Sequence, residues 1–217
     1  TMKKQFAVMG LGGFGESVAR ELMRLGHEVL GVDIDENKAN QLADHLTQTV
    51  IADATDDSAL KEMDLHRFDA TLVAIGENIE ASILCTMHLK SLHAKEVWVK
   101  AITPTHHKIA EKLGADRIFH PEYEMGLRVA QTMAHPNMLD YIALGDNCFV
   151  IEVRPGEVLE DRPFSDLKID PEKVRLLAIK HGNSVTFQPT PDYRLRRNDH
   201  LVLLGEEKAL RHFTERL

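Results

Sequence analysis

The chain has 217 residues, of which 43% are hydrophobic and 28% are charged, and its formal net charge is −8. This length allows one or two domains, and the composition is that of an ordinary globular protein. No apolar run is long enough to predict a membrane-spanning helix. The negative net charge disfavours nucleic acid as a partner, because phosphate backbones attract basic surfaces.

The first residues and the two cysteines indicate a cytoplasmic location. Residues 1–5 lead directly into a strand-like segment, without the apolar stretch and small-residue cleavage site of a secretory signal. Cys85 and Cys148 lie within regular-looking segments, as buried thiols do in a reducing compartment. We therefore expect a protein that remains in the cytoplasm.

Short apolar segments alternate with amphipathic helical patterns from the start of the chain to Pro121. Strands that are apolar at nearly every position, separated by helices, predict a parallel sheet covered on both faces. The expected fold class is therefore a doubly wound α/β domain. Its predicted strands are residues 6–9, 29–32, 49–52, 71–75, 97–100 and 117–119. The first predicted helix ends before Gly26, and four more lie near residues 36–46, 58–63, 79–92 and 105–113.

The pattern changes after Pro121, where a longer helical stretch runs to Ala134 and is closed by His135 and Pro136. A second, shorter helical pattern covers residues 138–144. We place the domain connection there, so that residues 1–135 form the first domain with its crossover helix. Residues 136–217 form a connecting helix and a small α+β domain, which is near the lower size limit for an independent core and is expected to dimerise. Its predicted elements are strands at 149–153, 174–179, 184–187 and 201–204, a helical turn at 163–167 and a helix at 208–217.

A glycine-rich loop joins the first strand to the first helix. The loop reads Gly10-Leu11-Gly12-Gly13-Phe14-Gly15, which is the G-x-G-x-x-G pattern, and Asp33 closes the next strand. Gly10 permits the tight turn, Gly12 lets the backbone approach a pyrophosphate and Gly15 lets the helix lie close to the strand. Asp33 would accept a ribose hydroxyl and repel a 2′-phosphate. The loop therefore predicts a Rossmann-like site for NAD or an adenosine nucleotide rather than NADP.

Three more loops follow the carboxyl ends of predicted strands, where ligands of open α/β sheets bind. Asp53 and Thr55, on either side of Ala54, would either contact the adenine or ribose or cap the next helix. Gly76 lies in the second loop. Lys100 ends its strand on the ligand side and would either reach a phosphate or remain solvated.

The sequence lacks the usual signs of a dehydrogenase. Such enzymes need an acid or base beside the nicotinamide, and none of the three tyrosines has a lysine four residues later. We expect His106, His107 and His120 to be surface or capping groups, since no cysteine or carboxylate completes a zinc site with them. The expectation is a binding protein that is not an enzyme, and the alternative is an NAD-dependent oxidoreductase with a reactive group near Gly76 or Lys100.

Besides the glycine loop, the chain contains the motifs Val32-Asp33-Ile34-Asp35, Ala52-Asp53-Ala54-Thr55, residues 73–82, residues 98–101 and residues 114–126 with His120-Pro121-Glu122. Together these motifs resemble the landmarks of RCK (regulator of potassium conductance) proteins, in particular the cytosolic regulatory subunits of Ktr/Trk-type potassium uptake systems. The segment from Asn147 onward resembles the small C-terminal RCK domain of that family.

The resemblance implies an octameric ring, assembled from dimers, that docks on the inner face of the membrane beneath a separate potassium-translocating subunit. It implies that ATP, ADP or NAD(H) binds the N-terminal domain and changes the shape of the ring. It also implies that Glu122 holds a divalent cation, Mg²⁺ or Ca²⁺, between subunits when ATP is bound.

Two positions depart from the family pattern. Gly13 stands where many relatives have an arginine, so a charged contact to a terminal phosphate of ATP is missing. Residues 167–170 lack the arginine with which some relatives bind cyclic di-AMP, so that ligand is not carried over. An RCK regulator of a different cation channel or exporter remains an alternative, because these systems share the sensor domains.

Overall fold

A computed structural model describes residues 2–215 and 217, with the side chain of Val158 left out. The chain divides into two compact units, Thr1–Tyr123 and Glu124–Leu217. None of the described helices is both long and apolar enough to cross a lipid bilayer.

The first unit alternates strands and helices as the sequence predicts. Its helices begin at residues that suit helix starts: Asp35, Asp56, Asn78 and Thr103 each accept a backbone N–H of the first turn. The strands are β1 (Gln5–Met9), β2 (Glu28–Asp33), β3 (Gln48–Ile51), β4 (Ala70–Val73), β5 (Val97–Lys100) and β6 (Arg117–Phe119). The helices are α1 (Gly13–Arg24), α2 (Glu36–Leu42), α3 (Asp57–Glu62), α4 (Ile79–Ser91) and α5 (Pro104–Lys112), with a short 3₁₀ turn at Leu65–Arg67.

The six strands form one parallel sheet in the order β3-β2-β1-β4-β5-β6. The central strand is β1, in which Phe6 is opposite Val29 of β2 on one side and Ala70 of β4 on the other. Successive strands are laid down on one side of β1 and then on the other, so the strand order reverses between β1 and β4. In open α/β sheets, ligands bind beyond the carboxyl ends of the strands at such a reversal.

Both faces of this sheet are buried. Ala7 and Met9 of β1 contact a core that contains Leu60, Cys85 and Leu89, whereas Val8 contacts a core on the opposite face with Ala19 and Leu42. Alternate residues of a strand point to opposite faces, so a strand between two layers of helices has to be apolar throughout. This explains why the strands of the first unit read as uninterrupted apolar runs.

The second unit is built around an antiparallel sheet. Its elements are α6 (Pro121–Ala134), which begins in the first unit, β7 (Met138–Gly145), β8 (Cys148–Val153), β9 (Val174–His181), β10 (Ser184–Thr186), β11 (Asp199–Glu206) and α7 (Glu207–Thr214), with 3₁₀ turns at Glu157–Leu159 and Phe164–Leu167. The strand order in the sheet is β10-β9-β11-β8-β7. The core includes Ile151, Leu201 and Leu203, on which Leu210 and Phe213 of α7 pack.

The connecting helix predicted at residues 138–144 is wrong, because this segment is strand β7. It pairs with β8 along its length, with Tyr141 opposite Ile151 and Ala143 opposite Phe149. The turn between the two strands contains Asp146 and Asn147, both with positive φ. Aspartate and asparagine tolerate this conformation, and two-residue turns of this kind match the twist of a hairpin. Residues 138–144 are too few for the hydrophobic periodicity to distinguish a helix from a strand, and the hairpin turn makes them a strand.

The division between the two units falls within α6, between Tyr123 and Glu124. The helix ends at Ala134, before His135 and Pro136, as the proline predicts. The domain boundary after residue 135 remains a prediction.

Candidate functional site

The glycine loop starts with a turn that only glycine accommodates easily. Gly10 has a φ of +96°, and a Cβ on it would lie 3.0 Å from the carbonyl group of Ala74. Its N–H donates to the carbonyl of Val32 at 2.8 Å, which ties the loop to the end of β2. A side chain at this position would strain the backbone and press on the end of β4.

The other two glycines of the pattern meet opposite surroundings. A Cβ on Gly15 would lie 1.9 Å from the carbonyl oxygen of Gly10, so α1 packs directly on the loop. Apart from Gly12 itself and its two chain neighbours, no atom of the described residues lies within 4 Å of the corresponding position on Gly12. Gly12 precedes α1 and its φ of −68° suits any residue. Its bare backbone therefore leaves open space at the start of α1, where free N–H groups favour anions.

Asp33 is held in place before any ligand binds. Its carboxylate is 8% exposed and accepts hydrogen bonds from the N–H of Leu11 at 2.7 Å and of Asp35 at 2.8 Å. One bond fixes the glycine loop and the other fixes the start of α2. A carboxylate has about four acceptor positions, so two remain for a ribose hydroxyl.

Asp53 and Thr55 form a turn of their own rather than a helix cap. Asp53 accepts from the N–H of Thr55 at 2.8 Å and from its hydroxyl at 2.7 Å, and these two bonds lower the pKa of Asp53. The cap of α3 is Asp56, which accepts from the N–H of Ser58. Ala54, between Asp53 and Thr55, is buried. The capping role considered for Asp53 and Thr55 therefore belongs to the next residue.

Lys100 is not a solvated strand-end lysine, because its side chain is only 10% exposed. Its ammonium group lies 5.8 Å from the centre of the Phe14 ring, within cation–π range. A Cβ on Gly76 would lie 2.7 Å from Lys100 Nζ, so the glycine makes room for the lysine. The ammonium group forms an ion pair with Oε1 of Glu122.

A cleft of about 570 Å³ opens at the carboxyl ends of β1, β2, β3 and β4. It brings together ten of the eleven residues predicted to bind nucleotide, and Gly15 and Glu122 lie outside the lining. The ten are Gly10, Gly12, Gly13, Phe14, Asp33, Asp53, Ala54, Thr55, Gly76 and Lys100.

The lining also contains residues that the sequence did not single out. Ile34, which is 67% exposed, follows Asp33 on the cleft wall, and Lys38 and Glu80 come from α2 and α4. The sequence gives little indication of these three residues. Each follows the end of a strand by one to a few positions, and only the folded sheet determines that its side chain lies on the cleft. Among the charged residues of the lining, the acidic Asp33, Asp53, Glu77 and Glu80 outnumber the lysines Lys38 and Lys100.

Glu122 occupies the second position of α6, and its side chain is 61% exposed. Partial burial raises the pKa of this carboxyl, but the hydrogen bond from Lys100, its own backbone N–H and the lysine charge lower it by more, so the pKa is below its usual value. Within residues 2–215 and 217, no group of three or more histidine, cysteine or acidic side chains could hold a metal ion.

The three histidines considered in the sequence, His106, His107 and His120, are not all surface groups. His106 is 1% exposed, accepts the N–H of Ile102 at 3.4 Å, and its Nε2 lies 3.1 Å from the hydroxyl of Ser82. Burial, followed by the charge of His120, lowers the pKa of His106. His107 and His120 contact each other, with Nδ1 and Nε2 2.8 Å apart. The surface role predicted for His106 is therefore wrong, because this side chain joins α5 to α4.

Two family models match the chain. Residues 6–121 match the TrkA-N domain and residues 148–217 match the TrkA-C domain. The TrkA-N match covers the sheet and cleft of the first unit, and the TrkA-C match begins at β8.

Three relatives match this chain over nearly the whole length of both sequences. The chain is 44% identical to Ktr system potassium uptake protein A of Bacillus subtilis, over 97% of this chain and 95% of the relative. It is 40% identical to Ktr system potassium uptake protein C of the same bacterium, over 100% of this chain and 98% of the relative. It is 36% identical to Ktr system potassium uptake protein A of Vibrio alginolyticus, over 97% and 96%.

Solved structures share the architecture. The RCK domain of GsuK superposes with a TM-score of 0.67 at 15% identity, over 99% of this chain and 47% of that longer chain. The NAD(P)-binding domain of an exopolyphosphatase-related protein from Archaeoglobus fulgidus superposes with a TM-score of 0.54 at 26% identity, over 61% of this chain and 98% of that domain. The fold is thus a Rossmann-like sheet followed by a small antiparallel domain, and the chain belongs to the family of proteins that carry a TrkA-N domain and a TrkA-C domain.

Proposed function

We propose that this protein is a nucleotide-sensing regulatory subunit of a Ktr-type potassium uptake system and that it is not an enzyme. The observation that carries the proposal is the cleft around the glycine loop, at the strand-order reversal of a chain related over its whole length to potassium uptake proteins. A cleft at this place in an open α/β sheet is the usual site for a ligand.

The ligand of this cleft is ATP, ADP or NAD(H). Gly12 leaves room for phosphates at the start of α1, and Asp33 has acceptor positions for a ribose hydroxyl. The Archaeoglobus domain that resembles the first unit is itself named as NAD(P)-binding. The acidic lining and the glycine at position 13 disfavour the additional charge of a triphosphate unless a cation accompanies it.

The partner is a potassium-translocating membrane subunit, to whose cytoplasmic face an octameric ring of dimers docks. Support comes from the relatives, which are named as parts of Ktr potassium uptake systems. The protein is cytoplasmic in this account and is peripheral to the membrane through its partner. A Mg²⁺ or Ca²⁺ ion at Glu122 would need further oxygen ligands from a nucleotide or a neighbouring subunit, and it would compete with Lys100 for the carboxylate.

Calorimetric titration of the purified protein with ADP, ATP and NADH tests the ligand. We expect one site per chain, and we expect Gly12→Val to abolish binding by filling the phosphate position without disturbing the fold. Unchanged affinity in this variant would place the ligand outside the glycine loop.

A spectrophotometric assay tests the absence of catalysis. NADH absorbance in the presence of candidate carbonyl substrates should remain constant, since a regulatory subunit binds the nucleotide without transferring its hydride. Steady oxidation of NADH by the parent protein, lost in Gly12→Val, would instead support the oxidoreductase alternative.

A further inference from the structure

Lys100 and Glu122 form an ion pair whose two members differ strongly in exposure. The lysine side chain is 10% exposed and the glutamate side chain is 61% exposed. A buried ammonium group needs an anionic partner, because leaving it unpaired away from water is costly. An exposed carboxylate loses little when it separates from its partner, since water solvates it again. Glu122 is therefore the replaceable member of the pair.

Lys100 lies at the end of the cleft where a phosphate would bind. Its ammonium group is 5.8 Å from the ring of Phe14, the second residue of α1, and it lies against Gly76. The start of α1 is the part of the cleft that favours anions. A pyrophosphate seated there would be within reach of Lys100, and its two phosphate groups together carry more negative charge than one carboxylate.

We infer that Lys100 is a shared counterion, held by Glu122 in the free protein and transferred to the phosphate groups of the bound nucleotide. The inference rests on the proposed nucleotide function of the cleft. Ligand binding then releases Glu122 in the first turn of α6. This helix begins in the first unit and continues into the second, so occupancy of the cleft changes the start of the element that joins the two units.

A metal ion bound by Glu122 and a shared counterion predict different effects of Glu122→Gln. If Glu122 acts only through a metal, nucleotide affinity measured with a chelator stays unchanged in the variant. If Glu122 competes with the nucleotide for Lys100, the affinity increases. Glutamine keeps an oxygen that accepts a hydrogen bond from Lys100, so the buried ammonium group is not left without a partner.

The experiment is calorimetric titration with ADP and NADH in the presence of a chelator, on a double-mutant cycle. Glu122→Gln should bind about threefold or more tightly than the parent. Lys100→Met should bind about tenfold or more weakly, because a charge-assisted hydrogen bond is lost. In the double variant, the gain from Glu122→Gln should disappear, since it acts only through Lys100.

Two exposed residues provide matched controls: Glu124→Gln removes one negative charge from α6, and Lys108→Met removes one positive charge from α5. Both should bind as the parent does. A Glu122→Gln affinity equal to or lower than that of the parent overturns the inference, as does a gain of the same size in the Lys100→Met background.

Hydrogen exchange measured by mass spectrometry tests the release of Glu122 directly. ADP should change the exchange of peptides covering the start of α6 in the parent and leave them unchanged in Lys100→Met at saturating ADP. Binding with no change in the parent at α6 contradicts the inference but not the proposed function. Absence of any nucleotide binding contradicts the proposed function itself.

Discussion

Gly12 and Gly15 belong to one glycine pattern, but they serve different purposes. Gly15 has no space for a side chain, because a Cβ would lie 1.9 Å from a backbone oxygen, whereas Gly12 has open space around it. Gly15 is needed for the packing of α1 on the loop, and Gly12 keeps the cleft open for a ligand. Stability and binding should therefore respond separately to substitution at these two positions.

We predict that Gly15→Ala lowers the free energy of unfolding by about 2 kcal/mol or more, since the backbone has to move to relieve the contact. Gly12→Ala should change it by less than about 0.5 kcal/mol. Urea denaturation followed by circular dichroism measures both values. Equal losses of stability in the two variants would contradict this division of roles.

Asp33 has a structural role besides the predicted contact to ribose. Its carboxylate accepts the N–H groups of Leu11 and Asp35, so Asp33→Ala leaves both without their acceptor. We predict that this variant loses about 1–3 kcal/mol of stability in the absence of nucleotide. Asp44→Ala, at an exposed position of the same unit, is the control and should be close to the parent. A fully stable Asp33→Ala that has lost only nucleotide affinity would show that the two bonds contribute little.

The glycine loop and Asp33 could be predicted from sequence, because their spacing along the chain already specifies a strand, a turn and a helix. The burial of Lys100 could not, since it depends on Phe14, Gly76 and Glu122, which lie far apart in the sequence and meet only in the folded sheet. Lys38 and Glu80 were missed for the same reason. The local sequence pattern identified the glycine loop, whereas tertiary packing determines which charged side chains surround it.

Among the elements, the first unit was predicted well because its central strands lie between two helical layers and are apolar at nearly every position. β7 was predicted wrongly: it is an edge strand whose apolar residues Leu139, Ile142 and Leu144 are 39%, 43% and 59% exposed. Apolar residues on both faces of a short segment fit a helix as well as a strand. The informative signal was the Asp146 and Asn147 turn, which specifies a hairpin.

Glu152 links three strands of the second unit. It lies on β8 and accepts from Lys180 Nζ of β9 and His200 Nδ1 of β11, each at 2.8 Å. Partial burial raises the pKa of Glu152, but the hydrogen bonds and charges of Lys180 and His200 lower it by more, so the pKa is below its ordinary value of 4.5. The carboxylate therefore stabilises the fold above that pH, and this stabilisation is lost as the pH falls through the lowered pKa.

We predict that Glu152→Gln lowers the free energy of unfolding by about 1 kcal/mol at pH 7. The difference from the parent should shrink as the pH falls below about 4.5, where the parent carboxylate becomes protonated. Denaturation curves collected from pH 7 to pH 3 give this difference, and Glu206→Gln, at an exposed position, is the control. A difference that does not change over this range would exclude a role for the charge.

At the scale of the whole molecule, α6 spans the division between the two units. Its first turn contains Glu122, whose partner Lys100 lines the cleft. The chain thus has a continuous physical connection from the ligand site to the element that enters the second unit. Through this connection a ligand in the cleft would act on α6, provided that it binds two states of the chain with different affinity.

The proposed function requires that nucleotide binding at the glycine loop regulates potassium uptake. Its most direct test is potassium uptake by a bacterial strain that retains a Ktr-type membrane subunit and lacks its own regulatory subunit. The parent chain should restore uptake, and Gly12→Val, expressed to the same level and folded, should not. Uptake that is the same with the parent, with Gly12→Val and with no added chain would contradict the account.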